Sequence, residues 1–415
     1  MNFTFLHCAD PHLGSPMSGL ALKDAKVAER FAAATREAFS DMVSRAIEER
    51  VAFVLIAGDL YDGPWPDNAI GLFFNREAGR LARAGIPVFL IKGNHDAESV
   101  VARTIFPPDN VRQFSTSRAH TLEIPELRVA VHGRGFADRA VTENIAAKYP
   151  AAKAGWFNIG LLHTSCEGNA KHATYAPCSV AELVARGYDY WALGHIHQYQ
   201  ELHRDPWIVY AGNLQGRSVR ETGAKGAALV DVADGQVVGV RRLIVDRARW
   251  IEAEVDVSAA ATRDEALALV SAALRAPLAE TAGRLVAARV RLVGETALDR
   301  RLRAGGAQLF DEALSRLQQL HEDAWLEKLS IETREPRATA PAADLAALDI
   351  GAMLGACADD AGLRGAAAEL AAQIGAKTPG EAPDDETRLA DDIDALMAEA
   401  RAIALARALG EEADA

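Results

Sequence analysis

Apolar and polar positions follow two rhythms over most of the chain. Short β-branched or aromatic runs predict strands at Phe3–Cys8, Val51–Ala57 and Pro87–Ile91, and between them fall stretches with near-helical spacing. Lys23–Arg50 is the clearest helix, with Val27, Phe31, Phe39, Val43, Ala46 and Ile47 along one side; a second helix is expected around Ala69–Ala84. Beyond residue 128 the strands crowd together, at Val129–His132, Ile159–Leu162, Tyr188–Leu193, Trp207–Tyr210 and Ala227–Val232. Gaps that short suit antiparallel pairs, so the expected class is α/β with a mixed sheet or two sheets.

After residue 249 the rhythm becomes strand, helix, strand, helix, strand (Trp250–Val257, Arg263–Leu274, Leu285–Leu292, Ala307–Gln319, Trp325–Ile331), which predicts a small α+β capping domain over 249–335. The Pro/Ala stretch Glu335–Pro341 separates it from an Ala-rich helical tail, 341–415, broken at Thr378–Pro383. A catalytic domain over 1–240 would precede both. A tail helix too poor in apolar residues for its own core usually docks on something.

Charge sharpens this division. The 415 residues carry a formal net charge of -13, but residues 340–415 hold sixteen acids against five bases, which leaves a net of -2 for the rest. The tail is therefore a poor clamp for a polyanion, and phosphate attraction must come from local cations or metals. No run of eighteen uncharged apolar residues occurs, and the N-terminus lacks a cationic leader, so no membrane span and a cytoplasmic location are expected. Cys8, Cys166, Cys178 and Cys357 are widely spaced, which argues against a disulfide framework or a thiolate zinc site.

Residues able to hold a metal fall just after the predicted strands, where loops at one sheet edge converge. They are Asp10 and His12 in CADPHLG, Asp59 in LIAGDLYDG, Asn94, His95 and Asp96 in IKGNHD, His163 in GLLHTS, and His195 and His197 in WALGHIHQ. In an extended segment, residues two apart point the same way, so Asp10 with His12 and His195 with His197 can each face one cation. Glycines before Asp59, Asn94 and His195 allow a sharp turn and a close approach. A donor set of carboxylate, imidazole and amide oxygen suits Mn²⁺, Fe²⁺ or Zn²⁺ better than Mg²⁺.

In this order the motifs D-x-H, GD, GNHD, H and GHxH resemble those of the calcineurin-like metallophosphoesterases over residues 1–235. Within that superfamily, GDLYD, GHIHQ, the loop GNLQGRSVRETGAKG and the appended small domain look most like bacterial DNA repair exonucleases of the SbcD type, in particular a YhaO-like branch. The resemblance implies a two-sheet α/β metallophosphoesterase sandwich and two divalent ions, most suitably Mn²⁺. One would be held by Asp10, His12, Asp59 and His197, the other by Asp59, Asn94, His163 and His195, with Asp59 bridging. Its implied role for His95 is general acid, with Asp96 orienting the ring. Asp62 stands where some relatives carry a further histidine. DNA is the implied substrate and an SbcC-like coiled-coil ATPase the implied partner, with the tail helices as its dock and a homodimer left open.

Other readings are softer. Arg217, Arg220 and Lys225 lie in a Gly-rich loop suited to phosphate contacts. Trp65 is a candidate for base stacking. His7, His120, His132, His172, His203 and His321 lack partners at ligand spacing and are expected to be structural or solvent-facing. Two rival functions remain: a phosphodiesterase or phosphatase for small nucleotides, using 249–333 as a lid, and a scaffold of this fold without turnover.

Overall fold

The structure, a computed structural model, describes residues 1–15, 25–62, 68–99, 106–166, 175–281, 283–336, 345–377 and 392–408. Lys23, Asp24, Trp65, His172 and the expected break at 378–383 lie outside the described residues. The chain separates into two compact units, one comprising residues 1–15 and 30–249 and the other comprising, among the described residues, 25–29 and those from 250 onward.

In the first unit, elements run β1 (Phe3–Cys8), α1 (Ala25–Glu48), β2 (Val54–Ile56), α2 (Asn68–Arg83), β3 (Val88–Leu90), α3 (Asn94–Glu98), β4 (Val111–Gln113), β5 (His120–Ile124), β6 (Val129–Gly133) and β7 (Phe157–His163). They continue with α4 (Val180–Ala185), β8 (Tyr190–Gly194), β9 (Gln200–Arg204), β10 (Trp207–Tyr210), β11 (Gly226–Ala233) and β12 (Gln236–Ile244). Two six-stranded sheets result, ordered β12-β11-β1-β2-β3-β4 and β5-β6-β7-β8-β10-β9. Each has a parallel centre, β1 to β4 and β6-β7-β8-β10, with antiparallel strands outside it. The expected two-sheet α/β sandwich is therefore what the chain forms.

Burial on both faces explains why β7, FNIGLLH, is almost wholly apolar and buried throughout. In β1, alternation divides the two layers: Phe5 joins the core between the sheets, stacked on Phe53 at 5.0 Å and edge-on to Tyr190 at 5.2 Å. Leu6 and Cys8 face the other way, into the layer with Phe39, Met42 and Val43 of α1 and Phe74 of α2. His7 is fully buried between the sheets, its two ring nitrogens meeting the Tyr190 hydroxyl at 3.0 Å and the Leu193 carbonyl at 3.2 Å. Burial pushes its pKa down to about 3, so it is a neutral structural histidine.

The second unit takes in most of β13 (Ala248–Asp256), with α5 (Arg263–Ala279), β14 (Leu285–Val293), α6 (Asp299–Ala304), α7 (Gly306–Leu320) and β15 (Ala324–Ile331). The three strands form a sheet ordered β13-β14-β15. Val286, Ala288, Val290 and Leu292 of β14 pack with Leu267, Val270 and Leu274 of α5 and Leu309 and Leu317 of α7. The tail supplies α8 (Leu345–Asp359), α9 (Ala361–Lys377) and α10 (Ile393–Ala408). Within this unit α10 packs on α6 and α8. Among the described residues no helix is long and apolar enough to cross a membrane.

Candidate metal centre

The parallel strands carry their chemistry at their carboxyl ends. β1 leads to Asp10 and His12, β2 to Asp59, β3 to Asn94, β7 ends on His163, and β8 leads to His195 and His197. The first two loops zip together: Asp10 N–H donates to the Gly58 carbonyl at 3.1 Å, His12 N–H to Asp59 at 2.9 Å and Leu13 N–H to Leu60 at 2.8 Å.

Asp10 and His12 do face a common centre, but not through strand alternation. Their φ values are +49° and +45°, Asp59 has +49° and His195 +101°, all outside the extended region. Left-handed backbone costs a non-glycine residue about 1–2 kcal/mol, and Asp and His tolerate it better than most. Two glycines show how closely the loops approach. A Cβ on Gly93 would lie 2.2 Å from Asp59 Oδ1, and one on Gly194 would lie 2.0 Å from the Ala57 carbonyl oxygen.

Two clusters share one wall. Asp10, His12 and His197 each place a ligand atom within 4.8 Å of the others, and so do Asp10, Asp59 and His163. Asp59 Oδ2 lies 3.4 Å from His163 Nε2 and 3.8 Å from His12 Nε2, and Asn94 Oδ1 is 2.9 Å from His163 Nε2. His195 donates its backbone N–H to the Asp10 carboxylate at 3.0 and 3.1 Å, and its ring lies 5.3 Å from that of His163. Asp10, His12, Asp59 and His163 are all at most 1% exposed.

These residues fit divalent cations on the chemistry of their facing atoms. His163 Nδ1 donates to the Ala57 carbonyl at 2.9 Å, so the neutral ring turns an Nε2 lone pair toward the acceptor oxygens of Asn94 and Asp59. His197 Nδ1 likewise donates to Glu221 Oε1 at 2.7 Å, turning its Nε2 toward His12 Nε2 at 3.2 Å. Buried acceptors aimed at acceptors are costly unless a cation lies among them, and two nitrogens about 3 Å apart suit one ion bound at about 2.1 Å from each. Burial by itself lowers the His163 pKa, yet the Asp59 and Asp10 carboxylates raise it to about 9. The site draws positive charge, and an imidazole that binds a metal releases that proton to solvent. His12 is pushed down to about 3 by burial and by Arg217, which leaves its ring neutral.

His95 sits at the edge, its side chain 23% exposed and its backbone N–H on Asp59 Oδ1 at 2.9 Å. Its Nδ1 lies 2.8 Å from Asp62 Oδ1. Burial opposes protonation, but Asp59 and Asp62 overcome it and raise His95 to about 9.

The expected orienting role of Asp96 is overturned. Both of its oxygens are taken by backbone, accepting from Tyr61 N–H at 2.9 Å, Gly93 N–H at 3.0 Å and Leu60 N–H at 3.1 Å. Asp96 fastens the Asp59 loop to the start of α3; Asp62 is the carboxylate on the His95 ring. The expected phosphate contacts also change. Arg217 is spent on Asp62 and Glu221, the buried Lys225 donates its Nζ to the His197 carbonyl at 2.9 Å, and only Arg220 is exposed. Sequence reading missed Glu221, and its sole signal was an acid inside an otherwise basic Gly-rich loop.

This geometry suits a centre for divalent cations, and the family comparisons bear on its chemistry. Residues 3–199 match the model described as "Calcineurin-like phosphoesterase", and residues 250–334 match "Metallophosphoesterase YhaO, middle domain". Over residues 3–199 the chain carries a calcineurin-like metallophosphoesterase domain.

Among individual proteins, the chain is 36% identical over 269 residues to the "Uncharacterized metallophosphoesterase YhaO" of Bacillus subtilis, covering 62% of this chain and 64% of that one. It is 26% identical over 258 residues to the "DNA double-strand break repair protein Mre11" of Sulfurisphaera tokodaii, covering 58% and 62%. The match thus spans less than two thirds of either relative's length. A crystal structure of a Thermus thermophilus protein aligns with a TM-score of 0.33 at 13% identity, covering 58% of this chain and 99% of the other.

Proposed function

We propose that the protein is a DNA nuclease, hydrolysing phosphodiester bonds in repair or end processing, with a coiled-coil SMC-like ATPase docked on the C-terminal helices. The observation that carries this reading is Asp59 Oδ2, 3.4 Å from His163 of one cluster and 3.8 Å from His12 of the other, with the His95–Asp62 pair beside it. The likeness to a DNA double-strand break repair protein, Mre11, supports DNA as the substrate class.

Two divalent ions held by Asp10, His12, Asp59 and His197 and by Asp59, Asn94, His163 and His195 would polarise the phosphoryl oxygens and ready a water for attack. The chain's own residues do the rest. Glu221 and the Ala57 carbonyl fix the His197 and His163 rings, so both present Nε2 to the centre. Asp62 holds His95 at Nδ1, which leaves the Nε2 edge to give its proton to the departing oxygen.

End-labelled single-stranded and duplex DNA, assayed with Mn²⁺ beside a cyclic dinucleotide, tests this. The nuclease reading predicts cut DNA and loss of cutting in His95→Ala. Intact DNA alongside a cleaved cyclic dinucleotide would replace it with the small-nucleotide phosphodiesterase.

A further inference from the structure

Arg217 stands between two carboxylates that serve different imidazoles. Its Nη1 donates to Asp62 Oδ2 at 3.1 Å, and its Nη2 lies 3.4 Å from Glu221 Oε1. The Arg217 backbone N–H also donates to Glu221 Oε2 at 2.8 Å. Behind Asp62 are His95, with Nδ1 at 2.8 Å, and His12, with Nδ1 at 3.5 Å. Behind Glu221 is His197, with Nδ1 at 2.7 Å, and Asn213 Nδ2 donates to its second oxygen at 2.7 Å. One guanidinium therefore joins the loop after β2 to the loop after β10, segments 155 residues apart in sequence.

We propose that Arg217 is a positioning residue that couples the proton-donating imidazole His95 to the metal-holding imidazole His197, acting through Asp62 and Glu221. The proposal rests on the metal-dependent diesterase reading above. Arg217 is not a phosphate binder in this arrangement, because both Nη groups already face carboxylates. Arg217 lies between Asp62 and Glu221, and its guanidinium holds each carboxylate where it faces an imidazole. The planar fork can meet two carboxylates at once. Lysine carries the charge but offers a single point and cannot brace both sides.

The two arms make separable predictions. On the Glu221 side, loss of the brace frees the His197 ring and weakens metal binding, by about 10-fold for an outer partner of a ligand. On the Asp62 side, loss frees His95, which hurts only reactions whose leaving oxygen needs a proton. A diester with an alkyl leaving group, such as a thymidine dinucleotide, needs one. Bis(p-nitrophenyl) phosphate, whose aryl oxide departs as the anion, does not.

The full-length chain and the variants R217Q, R217K, D62N and E221Q would be titrated with Mn²⁺ and assayed on both diesters. R217Q is expected to lose about 10-fold in Mn²⁺ affinity and to show a lower ratio of alkyl to aryl diester cleavage. D62N should lower the ratio, with at most a small fall in affinity through its contact with His12, and E221Q only the affinity. R217K keeps the charge and controls for folding; it should recover the wild-type melting temperature while regaining at most one of the two properties. A folded R217Q, or R217K if R217Q does not fold, with both Mn²⁺ affinity and the cleavage ratio unchanged would overturn the proposal, as would an equal fall on both diesters at unchanged affinity.

Should the wild type cleave neither diester, the hydrolase reading fails by itself. Arg217 is then decided by the Mn²⁺ titration together with the NMR signal of the His95 Nδ1 proton. Both must change in R217Q, and constancy of both would sink the coupling.

Discussion

The strand-end loops of the first unit and the small domain after residue 250 are built on opposite principles. Among the described residues, eight non-glycine residues have positive φ; all lie between residues 10 and 234, and four of them, Asp10, His12, Asp59 and His195, are at the candidate metal centre. The described residues of the small domain have none. Its buried charges are also closed among themselves: Glu327 takes a two-point bond from Arg289 at 2.7 and 3.1 Å, and Asp299 accepts from Arg303 at 3.1 Å and Thr333 at 2.6 Å. At the metal centre, imidazole nitrogens instead crowd against acceptor oxygens and against one another across 2.9 to 3.4 Å. Strain and unmet polarity gather where the chemistry is expected, and the apolar layer of β14 against α5 and α7 supplies stability without either.

This contrast can be broken from either side. The largest effect is expected at the metal centre itself: stripping divalent ions with a chelator should abolish diester cleavage, and adding back Mn²⁺ should restore it. Turnover surviving full chelation, checked by elemental analysis, would remove the metal from the account. Next, His95→Ala should lower turnover by about 10² to 10⁴ with metal content unchanged, as expected for loss of a general acid that is not a ligand. A drop in bound metal in that variant would assign His95 a holding role instead.

Leu292→Ala should act on the other region alone. Leu292 is fully buried in the small domain's core, so truncation should cost about 2 to 5 kcal/mol, read as faster hydrogen exchange of β14 amides. Metal content per chain should not change. The smallest effect is a pH dependence at His7. Its pKa is about 3 when folded and about 6.5 when unfolded, so between these values the unfolded chain binds the extra proton and stability falls as pH falls. Between pH 7 and 5.5 the loss should be about 1 kcal/mol. His7→Gln should flatten that slope, and an unchanged slope would show that other groups set it.

The sequence reveals the centre unevenly, for physical reasons. That Asp10, His12, Asp59, Asn94, His163, His195 and His197 meet in one region is legible because each ends or soon follows a strand, and a sheet edge brings strand ends together whatever their separation. Regular elements were legible for a similar reason: α1 spans Ala25–Glu48 where 23–50 was expected, and β14 spans Leu285–Val293 where 285–292 was expected. The left-handed backbone at Asp10 and His12 was not visible, since D-x-H reads equally well as alternation along a strand. Nor were the partners of the imidazoles. Asp96 is adjacent to His95 in sequence, but three backbone N–H groups claim its carboxylate; Asp62, 33 positions earlier, reaches the ring because the Asp59 loop folds back over α3. Arg217 read as a phosphate contact because its loop is rich in glycine and base, and only the folded chain brings Asp62 and Glu221 to it.

Counting Mn²⁺ ions by calorimetric titration of the wild type and Asp59→Asn tests the shared-carboxylate centre most directly. The account predicts two ions per chain in the wild type and at most one, weakly held, in the variant. A wild-type chain that binds a single ion, or an Asp59→Asn chain that still binds two with undiminished affinity, would contradict it.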